Sequence, residues 1–156
     1  MKPLALAALL LAILAPAAFA APAPQASGAW FRYLLSSIPA GGYVTLTNPG
    51  AHAVVLTGVR SPACGSLMFH RTESQGGTER MIAVPRIRIP PGGTFRFAPG
   101  GYHIMCMSPH MHPGQMVPVT FRLAHGAPLT VRFAVRGANA SGPPRGATAP
   151  MRMKMQ

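Results

Sequence analysis

The sequence predicts an all-β domain, a sandwich or Greek-key barrel. Short runs rich in Val, Leu, Thr, Phe and Tyr recur along the chain, and Gly- and Pro-rich segments separate them. No window of eleven or more residues beyond the N-terminal segment shows a clear helical period. Many short strands with regular turn signals are the pattern of such folds. The first runs are 29–34 (AWFRYL) and 43–48 (YVTLTN), the second closed by the turn signal Asn48-Pro49-Gly50. Next come 53–60 (AVVLTGVR) and 66–71 (SLMFHR). A polar stretch, Thr72 to Glu79, reads as a hairpin loop. Then follow 86–89 (RIRI), the turn Pro90-Pro91-Gly92-Gly93, and 94–97 (TFRF). The last three are 101–107 (GYHIMCM), 117–123 (VPVTFRL) and 129–136 (LTVRFAVR).

Residues 1–20 (MKPLALAALLLAILAPAAFA) carry a Lys, an apolar run from Leu4 to Leu14 and an Ala18-Phe19-Ala20 ending. That is the layout of a secretory signal peptide cleaved after Ala20. The apolar run is shorter than a membrane span requires. Export to a bacterial periplasm, an oxidising compartment, is expected. Residues 21–28 read as a flexible leader, 29–136 as one folded β domain, and 137–156 as a disordered, Met-containing tail.

The formal net charge is +12, with Glu73 and Glu79 as the acidic residues. The cations are scattered rather than blocked, so they suit solvated strand faces. They also suit steering toward an acidic partner or transient contact with an anionic membrane surface. No nucleic-acid-binding module is visible. Two carboxylates give an enzyme little general acid–base chemistry, so the reading is of a non-enzyme.

The chemistry-bearing feature is a spacing: His70, ten residues, Met81, twenty-one residues, then His103-Ile104-Met105. Two imidazoles and two thioethers form a soft donor set, poor for Ca²⁺ or Mg²⁺ and good for Cu(I). Residues two apart on a strand share a face, so His103, Met105 and Met107 point one way and Tyr102, Ile104 and Cys106 the other.

With its flanks, this spacing resembles the PCuAC periplasmic copper chaperones, whose signature is His-x10-Met-x21-His-x-Met. The matching flanks are AW-x-R at 29–32, YVTLTNPG at 43–50, SP at 61–62, IPPGGTFRFAPGGYHIM at 89–105 and PGQMVPVTF at 113–121. The resemblance covers about residues 29–136. It implies a cupredoxin-like β-barrel holding Cu(I) through His70, Met81, His103 and Met105. It also implies delivery to cytochrome c oxidase assembly, above all the CuA centre. The acceptor would be an oxidase subunit or a thiol-containing assembly factor, and the carrier a monomer. Copper storage or resistance is the alternative within the same chemistry.

Other donors lie outside that set. His110, Met111, His112 and Met116 form a second candidate group, one that could take Cu(II) through imidazole nitrogen. Met151, Met153 and Met155 form a tail motif able to capture Cu(I) weakly. His52 and His125 sit in turn-like segments and read as solvated. Cys64 and Cys106 leave three readings open: a disulfide, two buried thiols, or a metal role for Cys106. The last supports a rival function, a blue-copper electron carrier using Cys106, His110 and Met116.

Overall fold

The structure is a computed structural model that describes residues 22–144. The signal segment, its cleavage point and Met151, Met153 and Met155 lie outside the described residues. Ten strands and no helix are present among them. They are β1 (Gln25–Arg32), β2 (Ala40–Thr47), β3 (Val54–Arg60), β4 (Cys64–Gln75) and β5 (Thr78–Ala83). Then come β6 (Ile87–Ile89), β7 (Thr94–Phe97), β8 (Tyr102–Pro109), β9 (Met116–Leu123) and β10 (Leu129–Arg136).

The hydrogen-bonded order is β5-β4-β8-β2-β1-β10-β9-β3-β6, with β7 also on β2. β2 splits its edge: Ala40 to Gly42 pair with β8, and Val44 to Thr47 pair with β7. All pairings are antiparallel except β1 with β10. Four strands separate β4 from β9 in that order, yet the Phe69 and Phe121 rings lie 6.4 Å apart. The sheet therefore curls on itself. Its inner face is an aromatic and aliphatic core of Phe31, Phe69, Phe97, Phe121 and Phe133, filled out by Leu46, Leu56, Ile89, Ile104 and Val119.

The period-two pattern drives this closure. Along β2, Ala40, Gly42, Val44 and Leu46 are buried while Gly41, Tyr43, Thr45 and Thr47 are half-exposed. The Asn48 turn forms as expected. Its buried amide donates to the carbonyls of His52, Ile89 and Pro90, and its Oδ1 accepts from Gly50 N–H.

Three segments differ from the sequence reading. The stretch read as a leader to residue 28 already contains the first half of β1, whose Gln25 to Ser27 pair with Thr47 to Thr45 of β2. A register shift at Ser27/Trp30, with Gly28 at φ 61°, joins this half to the apolar half. Part of the stretch read as a tail, up to residue 144, packs on β1: Arg32 Nε donates to Ala140 O, and Pro143 lies against Gly28. The hairpin loop read over Thr72 to Glu79 shrinks to Gly76-Gly77. β4 continues to Gln75 and β5 returns from Thr78. Both glycines have positive φ (59° and 79°), as a tight two-residue hairpin turn of this hand demands.

Candidate metal centre

β4, β5 and β8 form one end of the sheet, and their register places the four motif residues. His70 on β4 lies directly opposite His103 on β8, and Met68 lies opposite Met105. Cross-strand partners share a face. Met81 on β5 lies opposite Thr72, one diagonal step from His70 on that same face. All four motif residues therefore occupy the outer face of three adjacent strands. Phe69, Ile104 and Cys106 alternate onto the inner face.

The two imidazoles come closest together. Their ring centroids are 5.8 Å apart, edge to face. His103 is 6% exposed, and its Nδ1 lies 3.0 Å from the Gly101 carbonyl oxygen. A carbonyl oxygen only accepts, so in the neutral ring Nδ1 is the donor and Nε2 bears the lone pair. Nε2 of His103 and Nδ1 of His70 are both buried without a hydrogen-bond partner. Buried polar atoms without partners are costly and uncommon. Two on facing imidazoles are what a pair of metal donors presents before the ion arrives. Burial lowers the His70 pKa below the ordinary histidine value, and the neighbouring His103 pushes it the same way. Both favour the neutral imidazole that a metal requires.

The thioethers are more open. Met105 is half-buried, and Met81, at 63% exposed, is the most solvent-accessible of the four. Every residue of β5 is exposed, so Met81 rides on an edge strand. Beside the site, Arg71 is ion-paired with Glu73 and its guanidinium lies 6.0 Å from the Tyr102 ring centre; its Nε is also buried without a partner.

Cys64 and Cys106 form a disulfide between β4 and β8, with Cα atoms 5.5 Å apart. Cys106 is fully buried on the inner face. The blue-copper reading is thereby corrected, since it needs Cys106 as a free thiolate. In the second donor group, Met111 is withdrawn from the other three. Met111 is 6% exposed within the hydrophobic core, whereas His110, His112 and Met116 are exposed. His110 N–H donates to the Ala63 carbonyl oxygen, and His112 N–H to Gln115 Oε1. Among the described residues, no three His, Cys, Asp or Glu side chains cluster as a metal site. His52 and His125 are exposed, as expected. The residue that sequence reading passed over is Met68. The alternation that grouped His103 with Met105 would have grouped Met68 with His70.

The family described as "Putative lipoprotein LpqE-like" matches residues 24–135. "Putative lipoprotein Lxx21020" of Leifsonia xyli subsp. xyli is 35% identical over 135 residues, which is 80% of this chain and 81% of that protein. The copper-bound PCuAC domain of PmoF2 superposes with a TM-score of 0.62 at 24% identity, covering 76% of this chain and 97% of that one. The Cu(I) form of DR1885 from Deinococcus radiodurans superposes with a TM-score of 0.59 at 29% identity, covering 81% of this chain and 84% of that one. The β-fold described above is thus the PCuAC fold.

Proposed function

The chain belongs to the LpqE-like lipoprotein family, and on that premise we propose that it is an exported Cu(I) carrier. Copper is its cargo, held by His70, Met81, His103 and Met105 and handed to a protein acceptor. The carrying observation is the facing His70–His103 pair with two buried, unpartnered nitrogens. The Cu(I)-bound structure of DR1885 and the copper-bound PmoF2 domain lend support through the shared fold.

The donor chemistry sets the direction of transfer. Neutral imidazole and thioether ligands hold a soft monovalent ion without a thiolate. A thiol-rich acceptor, such as an oxidase subunit of the CuA type or an assembly factor serving it, binds Cu(I) more tightly and draws it away. The disulfide keeps this chain's own sulfur pair out of that competition. The excess of Arg and Lys over Glu favours encounter with an acidic acceptor surface. Export by the signal segment 1–20 into the periplasm would put the carrier where such acceptors are metallated, and the lipoprotein name of the Leifsonia relative fits an exported family.

A Cu(I) titration of residues 21–156, under competition with a Cu(I) chelator, tests the reading. One colourless Cu(I) per chain, weakened by Met105→Leu and by His70→Gln, is the expected result. Unchanged affinity in single variants of all four motif residues would remove this site assignment.

A further inference from the structure

We propose that Met68, Met105 and Met107 form a second, all-thioether seat for the same monovalent ion, next to the imidazole seat and sharing Met105 with it. The proposal takes the identity of the ion from the carrier reading above. Its location comes from the register. Met68 is the direct cross-strand partner of Met105. Met107 follows Met105 by two residues on β8, so it shares the outer face, opposite Ser66. Directly opposed side chains on an antiparallel pair stand about 5 Å apart at Cβ, and diagonal neighbours about 7–8 Å, within reach of an unbranched thioether. The three methionines therefore occupy adjoining positions on one face, immediately beyond the His70–His103 pair.

Exposure separates this trio from core methionines. Met68 and Met107 are 38% and 39% exposed. Single exposed apolar residues are ordinary. These two flank Met105, and the neighbouring outward positions on β4, Ser66 and Thr72, are polar. Three neutral thioethers suit a soft monovalent ion and disfavour a hard divalent one.

Because Met105 belongs to both seats, they hold one ion in turn. Passage between them breaks the bonds to His70, His103 and Met81, keeps the bond to Met105, and forms bonds to Met68 and Met107. No electron moves and no proton is taken up. The exchange carries the ion from the imidazole pair, of which His103 is buried and His70 half-buried, to the more open end of the strand pair, where an acceptor can reach it.

Ag(I), a redox-inert soft monovalent ion, is the probe. The chain from residue 21, carrying His70→Gln and His103→Gln, retains one Ag(I). Adding Met68→Leu and Met107→Leu lowers that affinity by about tenfold or more. Methyl ¹³C resonances of Met68 and Met107 move on Ag(I) addition in the imidazole-less chain. Loss of all Ag(I) binding in that chain, or indifference to the Leu pair, overturns the thioether seat and leaves the His₂Met₂ reading standing. Absence of Ag(I) binding in the native chain overturns both. Should the imidazole-less chain not fold, the native chain decides. Movement of the Met68 and Met107 methyl resonances with bound Ag(I) supports the seat, and unmoved resonances overturn it.

Discussion

Replacing both Cys64 and Cys106 with Ala tests how this fold holds its site together. The bond joins residues 42 apart and links β4 to β8, the two strands that carry His70 and His103. Closing a loop of that length removes denatured-state entropy worth about 4 kcal/mol at 25 °C in the chain-entropy model. Cys106 is fully buried and Cys64 nearly so, so truncation also leaves small voids. For a domain of this size the midpoint should fall by roughly 10–20 °C. Urea and thermal unfolding of the oxidised native chain and the double variant measure it. The native chain with its disulfide reduced should behave like the variant. A loss below about 1 kcal/mol would mean that the bond does not constrain the unfolded chain as reasoned. The same variant carries a functional test. The His70–His103 and Met68–Met105 pairs are held by the β4–β8 ladder, while both cysteines lie in the buried core. Cu(I) affinity measured below the new midpoint should therefore be unchanged. A lost copper site would put a cysteine among the ligands and refute the assignment.

Met105→Leu and Met81→Leu conserve volume, so unfolding should change by less than about 1.5 kcal/mol while chelator competition shows weakened Cu(I). Met105 should cost more, since Met81 sits on the exposed edge strand. The lowered His70 pKa means that the unfolded chain takes up the proton more readily than the folded one. The His70 contribution to stability is therefore intact above about pH 6.5 and is lost as pH falls through the lower folded value. Urea midpoints at neutral and acid pH should diverge less in His70→Gln. Gly77→Val forces a β-branched residue to φ 79°, at a cost of about 1–3 kcal/mol. Amide exchange should show the β4–β5 hairpin opening, and Cu(I) affinity should fall through Met81.

How far the sequence could be read depended on whether side chains or backbone carried the information. β7, β9 and β10 were legible within a residue because their apolar positions alternate or cluster between Gly and Pro turns. β5 was not, because all six of its residues are exposed and no apolar alternation marks them. Its one signal was Gly76-Gly77, a hairpin dipeptide set between polar segments. The start of β1 was hidden for a related reason. Gln25, Ala26 and Ser27 look like linker by composition, and only backbone pairing to Thr47–Thr45 makes them a strand. The motif was visible as spacing, and the shared face of His103 and Met105 followed from alternation. The pairing of His70 with His103 required the β4–β8 register, which spacing does not contain. Met111 shows the opposite error: placed among exposed histidines in sequence, it fills the core in space.

The division of donors among strands bears on release. His70, His103 and Met105 stand on β4 and β8, which the register, the disulfide and the Phe69–Ile104 core contacts hold together. Met81 stands on an edge strand that buries no residue and is paired along one side only. Regions with few buried apolar contacts open at the lowest free energy. On the carrier reading, the hairpin can lift and withdraw one thioether while three donors stay fixed. The three-coordinate ion that remains then passes more readily toward Met68 and Met107, where an incoming thiolate reaches it. Tightening the hairpin should slow release more than it strengthens binding. Replacing Gly76 with Asn, which tolerates positive φ and favours this turn, supplies the test. In stopped-flow transfer to a dithiol chelator, the release rate of Gly76→Asn should fall while that of Gly77→Val rises. Equal release rates in the two variants would show that the ion leaves without movement of β5.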